Sequence, residues 1–379
     1  MAAMDKSSKT VVVGMSGGVD SSVSALLLKK QGYRVIGLFM KNWEEHDENG
    51  RCQASKEYDD VVRVCDQIGM PYYSVNFTKK YWDTVFTEFL KEFELGRTPN
   101  PDILCNREIK FKAMYDKAIE YGADYLATGH YCQNRVENSV HHLAKGQDPN
   151  KDQSYFLYTI KAGILEKVLY PIGGMHKSEV RKIAKEHDLA TSEKKDSTGI
   201  CFIGERNFKQ FLSRYLPLKP GPLVNLNGQI VGQHEGIAYY TRGQRKGMGI
   251  GGAGEAWYVI DKDAARNEVI VDQGARHPAL YCDELIATDL SWVSNREPAA
   301  IPFCCKSKVR YRQPDQACCI VHLEPNKVRV VFDVPQRAVT PGQSIVFYEG
   351  DICLGGGIIE EAGPSYYARG LDLPPLVSV

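Results

Sequence analysis

An apolar strand that runs into a turn rich in glycine and serine constrains the fold of this chain more than any other feature. Val11, Val12 and Val13 are β-branched and precede the sequence Gly-Met-Ser-Gly-Gly-Val-Asp-Ser-Ser at 14–22. β-Branched residues favour strands, and the residues after the turn have the apolar spacing of a helix that ends at Gly32. A strand, a turn and a helix in this order predict a βαβ unit and therefore a parallel sheet.

The turn itself has the composition of a phosphate-binding loop. Gly17 and Gly18 allow close approaches that a Cβ would prevent, so that successive N–H groups can converge on an anion beside the positive end of the helix. Ser16, Ser21 and Ser22 add hydroxyl donors. The lysine of the Gly-x4-Gly-Lys-Ser/Thr loop and the Gly-x-Gly-x-x-Gly spacing are both absent. The alternative, a glycine-rich turn without a ligand, is disfavoured by the position of the turn between a strand and a helix.

The next part of the chain alternates between helix and strand patterns. This alternation predicts a doubly wound α/β fold with helices on both faces of a parallel sheet. Ligands bind such sheets beyond the carboxyl ends of the strands, so 14–22, 40–43 and 128–130 should face one nucleotide. The predicted elements are helices at about 20–31, 58–68, 81–95 and 111–121, a helix-rich stretch at 157–189, and strands at 34–39, 72–75 and 125–128.

Three prolines and a glycine between 216 and 222 interrupt this pattern and predict a domain boundary. We therefore predict an α/β nucleotide-binding domain at 1–215, a small linking domain at 216–276 and a C-terminal antiparallel β-barrel at 277–379, with a sandwich as the alternative to the barrel. The last two domains contain short apolar runs at 269–271, 308–311, 318–323, 328–332 and 344–348.

The charge balance and the N-terminal sequence limit which partners the protein can bind and in which compartment we expect it. The chain of 379 residues has 47 basic and 47 acidic side chains, so a nucleic acid would have to bind a local patch, such as 242–246 or 306–312. The N-terminus has neither an apolar signal core nor an arginine-rich amphipathic pattern, and we expect a cytoplasmic protein with no membrane partner. Eleven cysteines without a secretory signal indicate mostly reduced thiols.

Two cysteines lie in segments that would suit a reactive, nucleophilic thiol. Cys105 follows a stiff loop with prolines at 99 and 101, three residues after Asp102. Cys201 lies between Gly199 and Gly204, which would allow its loop to move. Lysine and arginine neighbours of both cysteines would favour the reactive thiolate, whereas the alternative for each is an ordinary buried cysteine.

Over nearly its whole length the chain resembles the tRNA-specific 2-thiouridylases, which belong to the PP-loop ATP pyrophosphatases. The resemblance implies a PP-loop, Rossmann-like domain followed by the two smaller domains, and the two cysteine segments are what favour this activity within the superfamily. The matching segments are 14–22, 38–43, 96–106, 110–112, 127–131, 151–157, 194–205, 243–247, 310–313, 340–343 and 354–357.

The resemblance implies ATP-dependent 2-thiolation of the wobble uridine of tRNAs for Glu, Gln and Lys. It assigns the catalytic steps to Asp102, as the acid/base group, to Cys201, which would carry persulfide sulfur, and to Cys105, which would complete its release. It also implies Mg²⁺ with ATP, a cysteine desulfurase or relay protein as sulfur donor, and a cellular reductant. The remaining implied contacts are Gly14, Met15, Ser16, Gly17, Gly18, Val19, Asp20, Ser21, Met40 and Gly129 with ATP, Asn100, Pro101 and Asp102 with the target base, and Lys151, Asp152, Gln153, Arg310 and Tyr311 with tRNA.

Several features allow two interpretations. Trp43, Tyr131 and Tyr155 either stack on the target base or pack in the fold, and His130 is either part of the nucleotide site or structural. The adjacent cysteines 304–305 and 318–319 suggest cysteines facing each other across a hairpin rather than zinc ligands, since neighbours on a strand point to opposite faces. Rival functions are an amide-forming PP-loop ligase and a nucleotide-regulated RNA-binding protein without catalysis.

Overall fold

The structure is a computed structural model that describes residues 6–44, 53–195, 208–217, 219–295 and 297–375. Its strands form a parallel sheet, a four-stranded sheet and an antiparallel barrel, in that order along the chain. This architecture confirms the predicted fold class. The exact domain boundaries at 215 and 276 stay predictions.

The N-terminal sheet has the strand order β3-β2-β1-β4-β7, and all its pairings are parallel. The order reverses between β1 and β4, which is where such sheets bind ligands. Two further strands of this region, β5 and β6, form a hairpin instead. The strands are β1 (Thr10–Met15), β2 (Arg34–Lys41), β3 (Tyr72–Asn76), β4 (Tyr125–Ala127), β5 (Cys132–Glu137), β6 (Val140–Lys145) and β7 (Val168–Leu169).

Three helices begin earlier than the sequence patterns predict, and the one predicted at about 58–68 begins at Gln53. The segment predicted at 81–95 begins at Thr78 and includes a π-helical turn at Trp82–Phe86, and the one predicted at 111–121 begins at Pro101 and includes a π-helical stretch at Cys105–Met114. The α-helices are α1 (Val19–Lys30), α2 (Gln53–Ile68), α3 (Thr78–Tyr81), α4 (Thr87–Glu94), α5 (Pro101–Leu104), α6 (Tyr115–Glu120), α7 (Ala162–Leu165), α8 (Lys177–Glu186) and α9 (Phe208–Leu212).

The last two sheets are built from shorter sequence runs. The middle sheet has the order β10-β11-β8-β9, and the barrel has the order β12-β15-β14-β13-β16-β17, closed by pairing of β12 with β17. The predicted run 308–311 is wrong as a strand, because β13 ends at Lys308 and a turn follows. The strands are β8 (Gly221–Asn225), β9 (Ile230–His234), β10 (Trp257–Asp263), β11 (Glu268–Gln273), β12 (Tyr281–Trp292), β13 (Phe303–Lys308), β14 (Gln316–Glu324), β15 (Lys327–Arg337), β16 (Ser344–Glu349) and β17 (Ile352–Ala362).

The β5–β6 hairpin joins the N-terminal domain to the barrel. Ala144 in β6 pairs with Ile352 in β17, so that the hairpin extends the barrel sheet. Tyr155 and Tyr348 are fully buried in one apolar cluster between the domains, and the Tyr155 hydroxyl donates to Ser344 O over 2.8 Å. Burial of two such aromatic side chains is worth a few kcal/mol, about 1.5–3 for each, and fixes the barrel against the N-terminal domain. Within the described ranges, no helix is long and apolar enough to cross a membrane.

Candidate functional site

The loop after β1 has a backbone that only glycine fits at one position. Gly17 has φ +69°, and a Cβ there would lie 2.6 Å from the carbonyl oxygen of Glu57. Gly18 precedes α1 with extended torsions, as an N-cap residue does. The first N–H groups of α1 therefore face the loop, where the partial positive charge of the helix favours an anion.

Serine hydroxyls hold the loop in this shape. The backbone N–H of Ser16 donates to Ser21 Oγ over 3.2 Å, and Ser22 Oγ donates to Gly18 O over 2.8 Å. Gly129, just beyond β4, lies so close to the loop that a Cβ on it would be 2.8 Å from Ser21 N. The structure thus brings together the segment 14–21, Met40 at the end of β2 and Gly129, as the sequence predicts, at the carboxyl ends of three neighbouring strands.

Two lysines from distant parts of the chain reach the loop, and sequence reasoning missed both. Lys177 Nζ contacts the two carboxylate oxygens of Asp20 at 2.7 and 2.8 Å, and the Tyr131 hydroxyl donates to the same carboxylate over 2.8 Å. Lys194 Nζ donates to Gly17 O over 2.9 Å and contacts Asp60 at 2.6 Å. Lys194 lies in 194–205, one of the segments that resemble the 2-thiouridylases, and this resemblance is a sequence signal for the residue. Positive charge therefore does lie at a loop that contains no lysine of its own.

We expect Lys177→Met to weaken both the fold and nucleotide binding. The ammonium is largely buried, with 11% of its side chain exposed, and its loss leaves the Asp20 carboxylate with the Tyr131 hydroxyl. We expect a drop of about 1–3 kcal/mol in the free energy of unfolding, measured with urea, and a several-fold rise in the KM for ATP. Lys182→Met on the same helix is the control, because that side chain is 76% exposed, and the same loss there would show that the effect is general to α8.

His130 lies beside the loop as a buried, neutral imidazole. Burial and the charge of Lys110 hold its pKa well below its usual range. Lys110 Nζ lies 3.4 Å from Nε2, and Thr128 Oγ1 lies 2.8 Å from Nδ1. Because an ammonium group can only donate, Nε2 is the acceptor and Nδ1 carries the proton that is donated to Thr128. His130 therefore fixes Lys110 and the end of β4 beside the loop.

We expect this histidine to make the protein less stable in mild acid. Its pKa is depressed in the folded state, so below about pH 6.5 the unfolded chain binds a proton that the folded chain does not. Between pH 7.5 and 5.5 this linkage costs up to about 1.4 kcal/mol of the free energy of unfolding. In His130→Gln, urea titrations should show about 1 kcal/mol less loss over this interval. An identical loss in both proteins would contradict the assignment.

The segment that contains Asp102 and Cys105 is the start of a long helical stretch. The Asn100 side chain accepts from the backbone N–H of Asp102 over 3.2 Å, and Pro101 is the first residue of α5. Asp102 is half-buried, whereas only 1% of Cys105 is exposed. The two side chains are three residues apart on helical backbone and therefore on one side of it.

The barrel holds the loop that precedes Asp102. The backbone N–H of Thr98 donates to Pro341 O over 3.1 Å, and the Gln343 side chain donates to Thr98 O over 2.7 Å. Gly342 has φ +90°, and a Cβ on it would lie 3.0 Å from backbone atoms of Thr98. The segment 340–343 thus has a structural role that its sequence alone does not reveal.

Cys201 lies outside the described residues, whereas Lys194 and Phe211 on either side of it are described. On the N-terminal side, Lys194 contacts the phosphate loop at Gly17 O. On the C-terminal side, Phe211 of α9 is buried in the same apolar cluster as Cys105. The two ends of the segment therefore lie at the two places that the sequence assigns to ATP and to Cys105.

The residues predicted to contact tRNA are partly engaged within the protein. Asp152 Oδ1 accepts from the backbone N–H groups of Gly146 and Ser154, both over 3.1 Å, and Gln153 Oε1 accepts from Tyr131 N over 2.9 Å. Lys151 is half-buried on the turn just before them. The assignment of these residues to tRNA stays a prediction.

Arg310 and Tyr311 lie where the barrel meets the other domains. The Arg310 guanidinium donates to Arg242 O over 2.8 Å and to Ala338 O over 3.0 Å. The Tyr311 ring centroid is 4.4 Å from that of Phe156, and burial raises the pKa of Tyr311 to about 12. Tyr311 also lines a cleft of about 740 Å³ whose other walls include Arg135, Lys145, Lys308, Arg312 and Asp315. Their contact with tRNA also stays a prediction.

The aromatic side chains considered for base stacking are packed in the fold. Trp43 lies in a cluster with Trp82 and Phe86, at ring distances of 5.5 and 4.8 Å. Tyr131 and Tyr155 are buried, with their hydroxyls on Asp20 and Ser344 O.

The barrel cysteines face each other across a hairpin, as the sequence predicts, and two of them are bonded. Cys304 and Cys319 form a disulfide and are therefore exceptions to the prediction of mostly reduced thiols. The described part of the chain contains no group of three or more His, Cys, Asp or Glu side chains that could hold a metal ion.

Family models match the chain in three consecutive parts. A "tRNA methyl transferase HUP domain" matches residues 9–205, a "tRNA methyl transferase PRC-barrel domain" matches 209–273, and an "Aminomethyltransferase beta-barrel domain" matches 282–359. The chain is 65% identical over 370 residues to a protein of Protochlamydia amoebophila named tRNA-specific 2-thiouridylase MnmA, covering 97% of this chain and 98% of that one. It is 59% identical over 351 residues to the protein of that name from Geobacillus thermodenitrificans, covering 93% and 94% of the two chains.

Proposed function

The chain belongs to the tRNA-specific 2-thiouridylase family, and from this premise we propose that it thiolates the wobble uridine of tRNAs for Glu, Gln and Lys with ATP, Mg²⁺ and persulfide sulfur. Family membership makes the protein a tRNA sulfurtransferase that uses ATP. The observation that carries the proposal is the 65% identity to a named 2-thiouridylase over 97% of the chain. The choice of tRNAs and the route of the sulfur are the parts that are proposed.

ATP solves a leaving-group problem in this reaction. The uracil C2 oxygen cannot leave as oxide or hydroxide, so it first attacks the α-phosphorus of ATP, and pyrophosphate departs. Sulfur then attacks C2, and AMP departs with the former C2 oxygen. We assign the triphosphate to the loop at 14–21, where the N–H groups of the first turn of α1 and the serine hydroxyls face an anion.

Magnesium would arrive with ATP rather than occupy a protein site of its own. Mg²⁺ keeps several waters and is commonly bound by substrate phosphates with one or two carboxylates. Asp20, the carboxylate of the loop, is already contacted by Lys177 and Tyr131. We therefore propose that the phosphates hold the ion and that Lys177 keeps Asp20 in place beside them.

The target base would enter between the phosphate loop and the segment Asn100, Pro101 and Asp102. Enzymes that act on a base commonly turn it out of its stack, and this site needs the C2 oxygen to reach the phosphate. Asp102 is half-buried at the start of α5, where a carboxylate can accept or return a proton as the C2 oxygen becomes a leaving group. The barrel contacts to Thr98 would keep this segment from moving when the base enters.

Sulfur would travel on two cysteines. A persulfide on Cys201 attacks C2 through its terminal sulfur, and AMP leaves. The Cys105 thiolate then attacks the inner sulfur of Cys201, the bond between the two sulfurs breaks, and the outer sulfur stays on C2 as the thiocarbonyl. A Cys105–Cys201 disulfide remains, and a reductant must return two electrons and two protons in each turnover. The alternative is that Cys105 attacks first and sulfur is released as hydrogen sulfide.

The test is nucleoside mass spectrometry on unmodified tRNA for Glu after incubation with the protein, ATP, Mg²⁺ and either sulfide or a persulfide donor. We expect 2-thiouridine at the wobble position with both sources. Cys201→Ser should use sulfide but not the persulfide donor. Formation of AMP without any 2-thiouridine would keep the ATP chemistry and contradict the thiolation.

A further inference from the structure

Four cysteines lie opposite one another on β13 and β14, remote in sequence from the proposed catalytic pair. Cys304 is directly opposite Cys319, with Cα atoms 4.0 Å apart, and Cys305 is directly opposite Cys318. Because side chains alternate along a strand, the two pairs lie on opposite faces of the hairpin. The burial pattern agrees: Cys304 is exposed and Cys318 is buried.

The outer pair is bonded, with Cys304 exposed and Cys319 half-buried, whereas the inner pair is not bonded, with Cys305 half-buried and Cys318 buried. Cys304 and Cys319 form a disulfide. The Cys305 and Cys318 sulfurs are 3.9 Å apart within the barrel core. Their hydrogen bond and burial raise the pKa of the Cys305 thiol, whereas the Cys318 thiol, whose pKa the same hydrogen bond lowers, is buried away from thiols in solution. Exchange between the two pairs would have to pass through the sheet, so the outer disulfide can exchange only with a thiol from solution.

The barrel does not depend on this bond for its shape. β13 is paired with β14 from Phe303 to Ser307 and with β16 from Lys306 to Lys308, and β14 is paired with β15, so hydrogen bonds hold the hairpin in register. Ile320 is fully buried beneath the hairpin and keeps β14 on the core. An exposed disulfide that the sheet does not need can therefore open and close without unfolding the barrel.

The disulfide also closes a ring that includes the two barrel residues predicted to contact tRNA. Its two cysteines are 15 residues apart, and the connection between them includes the turn after β13, with Arg310 and Tyr311. Lys308, Arg312 and Asp315 of this connection line the cleft of about 740 Å³ between the barrel and the β5–β6 hairpin. Opening the ring removes the covalent link and leaves the connection held by the three ladder pairs that lie between it and the disulfide, from Cys305 with Cys318 to Ser307 with Gln316.

We propose that Cys304 and Cys319 are a reversible thiol–disulfide exchange site for a dithiol, and that the state of this site sets how firmly the 309–315 connection is held. A thiolate of the dithiol attacks the exposed Cys304 Sγ, the bond to Cys319 Sγ breaks, and Cys319 leaves as a thiolate that takes up a proton. The second thiol of the reductant then attacks the mixed disulfide and releases Cys304. The cysteine pair gains two electrons and two protons, and the dithiol becomes a disulfide. The reverse reaction with a disulfide oxidant closes the ring.

The test is native titration of the full chain in buffers of reduced and oxidised dithiothreitol. Thiols are blocked without denaturation, the protein is then unfolded and reduced, and a heavy label marks the cysteines that had been oxidised, with fragment-ion spectra separating neighbouring cysteines. We expect Cys304 and Cys319 to change together with the buffer while Cys305 and Cys318 stay reduced. The proposal would be overturned if Cys304 and Cys319 stayed oxidised until the protein unfolds, or if they were reduced in every buffer.

Variants test which cysteine pair exchanges, and limited proteolysis tests whether the disulfide affects the 309–315 connection. Cys305→Ala with Cys318→Ala should keep the titration, and Cys304→Ser with Cys319→Ser should abolish it. Limited trypsin cleavage after the exposed Arg312 should be about three- to tenfold faster in the reduced than in the oxidised wild-type protein, because local opening controls such cleavage. Equal rates would overturn the effect on the connection. The wild-type comparison does not depend on the folding of any variant.

Discussion

Replacement of Cys105 by serine should reduce 2-thiouridine formation from a persulfide donor by at least about 100-fold. Either route proposed for sulfur release requires a thiolate at this position, and a hydroxyl cannot replace it near neutral pH. The exchange of sulfur for oxygen hardly changes the shape of a side chain that is 1% exposed, so the helical stretch around it should remain. Pyrophosphate release in the first turnover should therefore stay within about threefold of the wild-type rate, because adenylation releases pyrophosphate before the sulfur step.

The control for this prediction is Cys65→Ser on α2. Cys65 is fully buried, and burial raises the pKa of its thiol to about 12, so that it is unreactive near neutral pH. Nucleoside mass spectrometry should detect normal thiolation in this variant. Supplied sulfide should restore thiolation in Cys105→Ser, since it bypasses the persulfide. Undiminished activity of Cys105→Ser with the persulfide donor would remove Cys105 from the mechanism.

The second large effect is expected from Gly17→Ala in the phosphate loop. Gly17 has φ +69°, and the new Cβ would lie 2.6 Å from Glu57 O, which is a backbone atom of α2 and cannot rotate away. The loop must therefore move relative to α2, and the N–H groups that face the phosphates move with it. We expect ATP-dependent AMP formation to fall by about 100-fold or more, because a displacement of about 1 Å at a reacting group is known to have effects of this size.

Gly69→Ala is a closely matched control for this variant. Gly69 has φ +71°, nearly the same as Gly17, but no atom lies within 4 Å of the position of a new Cβ. Both variants therefore carry the same backbone strain, of about 1 kcal/mol, and only Gly17→Ala carries the collision. Urea unfolding and AMP formation, measured on both proteins, separate the two contributions. Equal losses of activity would mean that strain rather than the position of the loop is responsible.

The sequence predicts the parts of this fold that depend on local patterns. The strand, turn and helix from Thr10 to Lys30 are all present, because β-branched residues, two glycines and an apolar helical face act within a few residues of one another. The prolines at 99 and 101 favour a loop up to Cys105. Proline is nevertheless well suited to the first position of a helix, where its missing N–H is not needed, and α5 begins there.

The parts of the site that sequence reasoning missed depend on distant contacts. Lys177 and Asp20 are 157 residues apart, and Lys194 and Gly17 are 177 residues apart, so no local period relates them. The β5–β6 hairpin is likewise explained by its pairing with the barrel rather than by its own pattern. Tertiary contacts of this kind are set by packing, which a single sequence does not display.

The contact between Gln343 and Thr98 has a consequence for the synthesis of the protein. The two residues are 245 positions apart, so at about 5–20 residues per second the ribosome makes Thr98 roughly 12–50 s before Gln343. During that interval the N-terminal domain can fold, but the loop that precedes Asp102 has no barrel to hold it. A growing chain can thus complete the loop at 14–21 while the segment 100–102, where we propose that the target base binds, still lacks its support from the barrel.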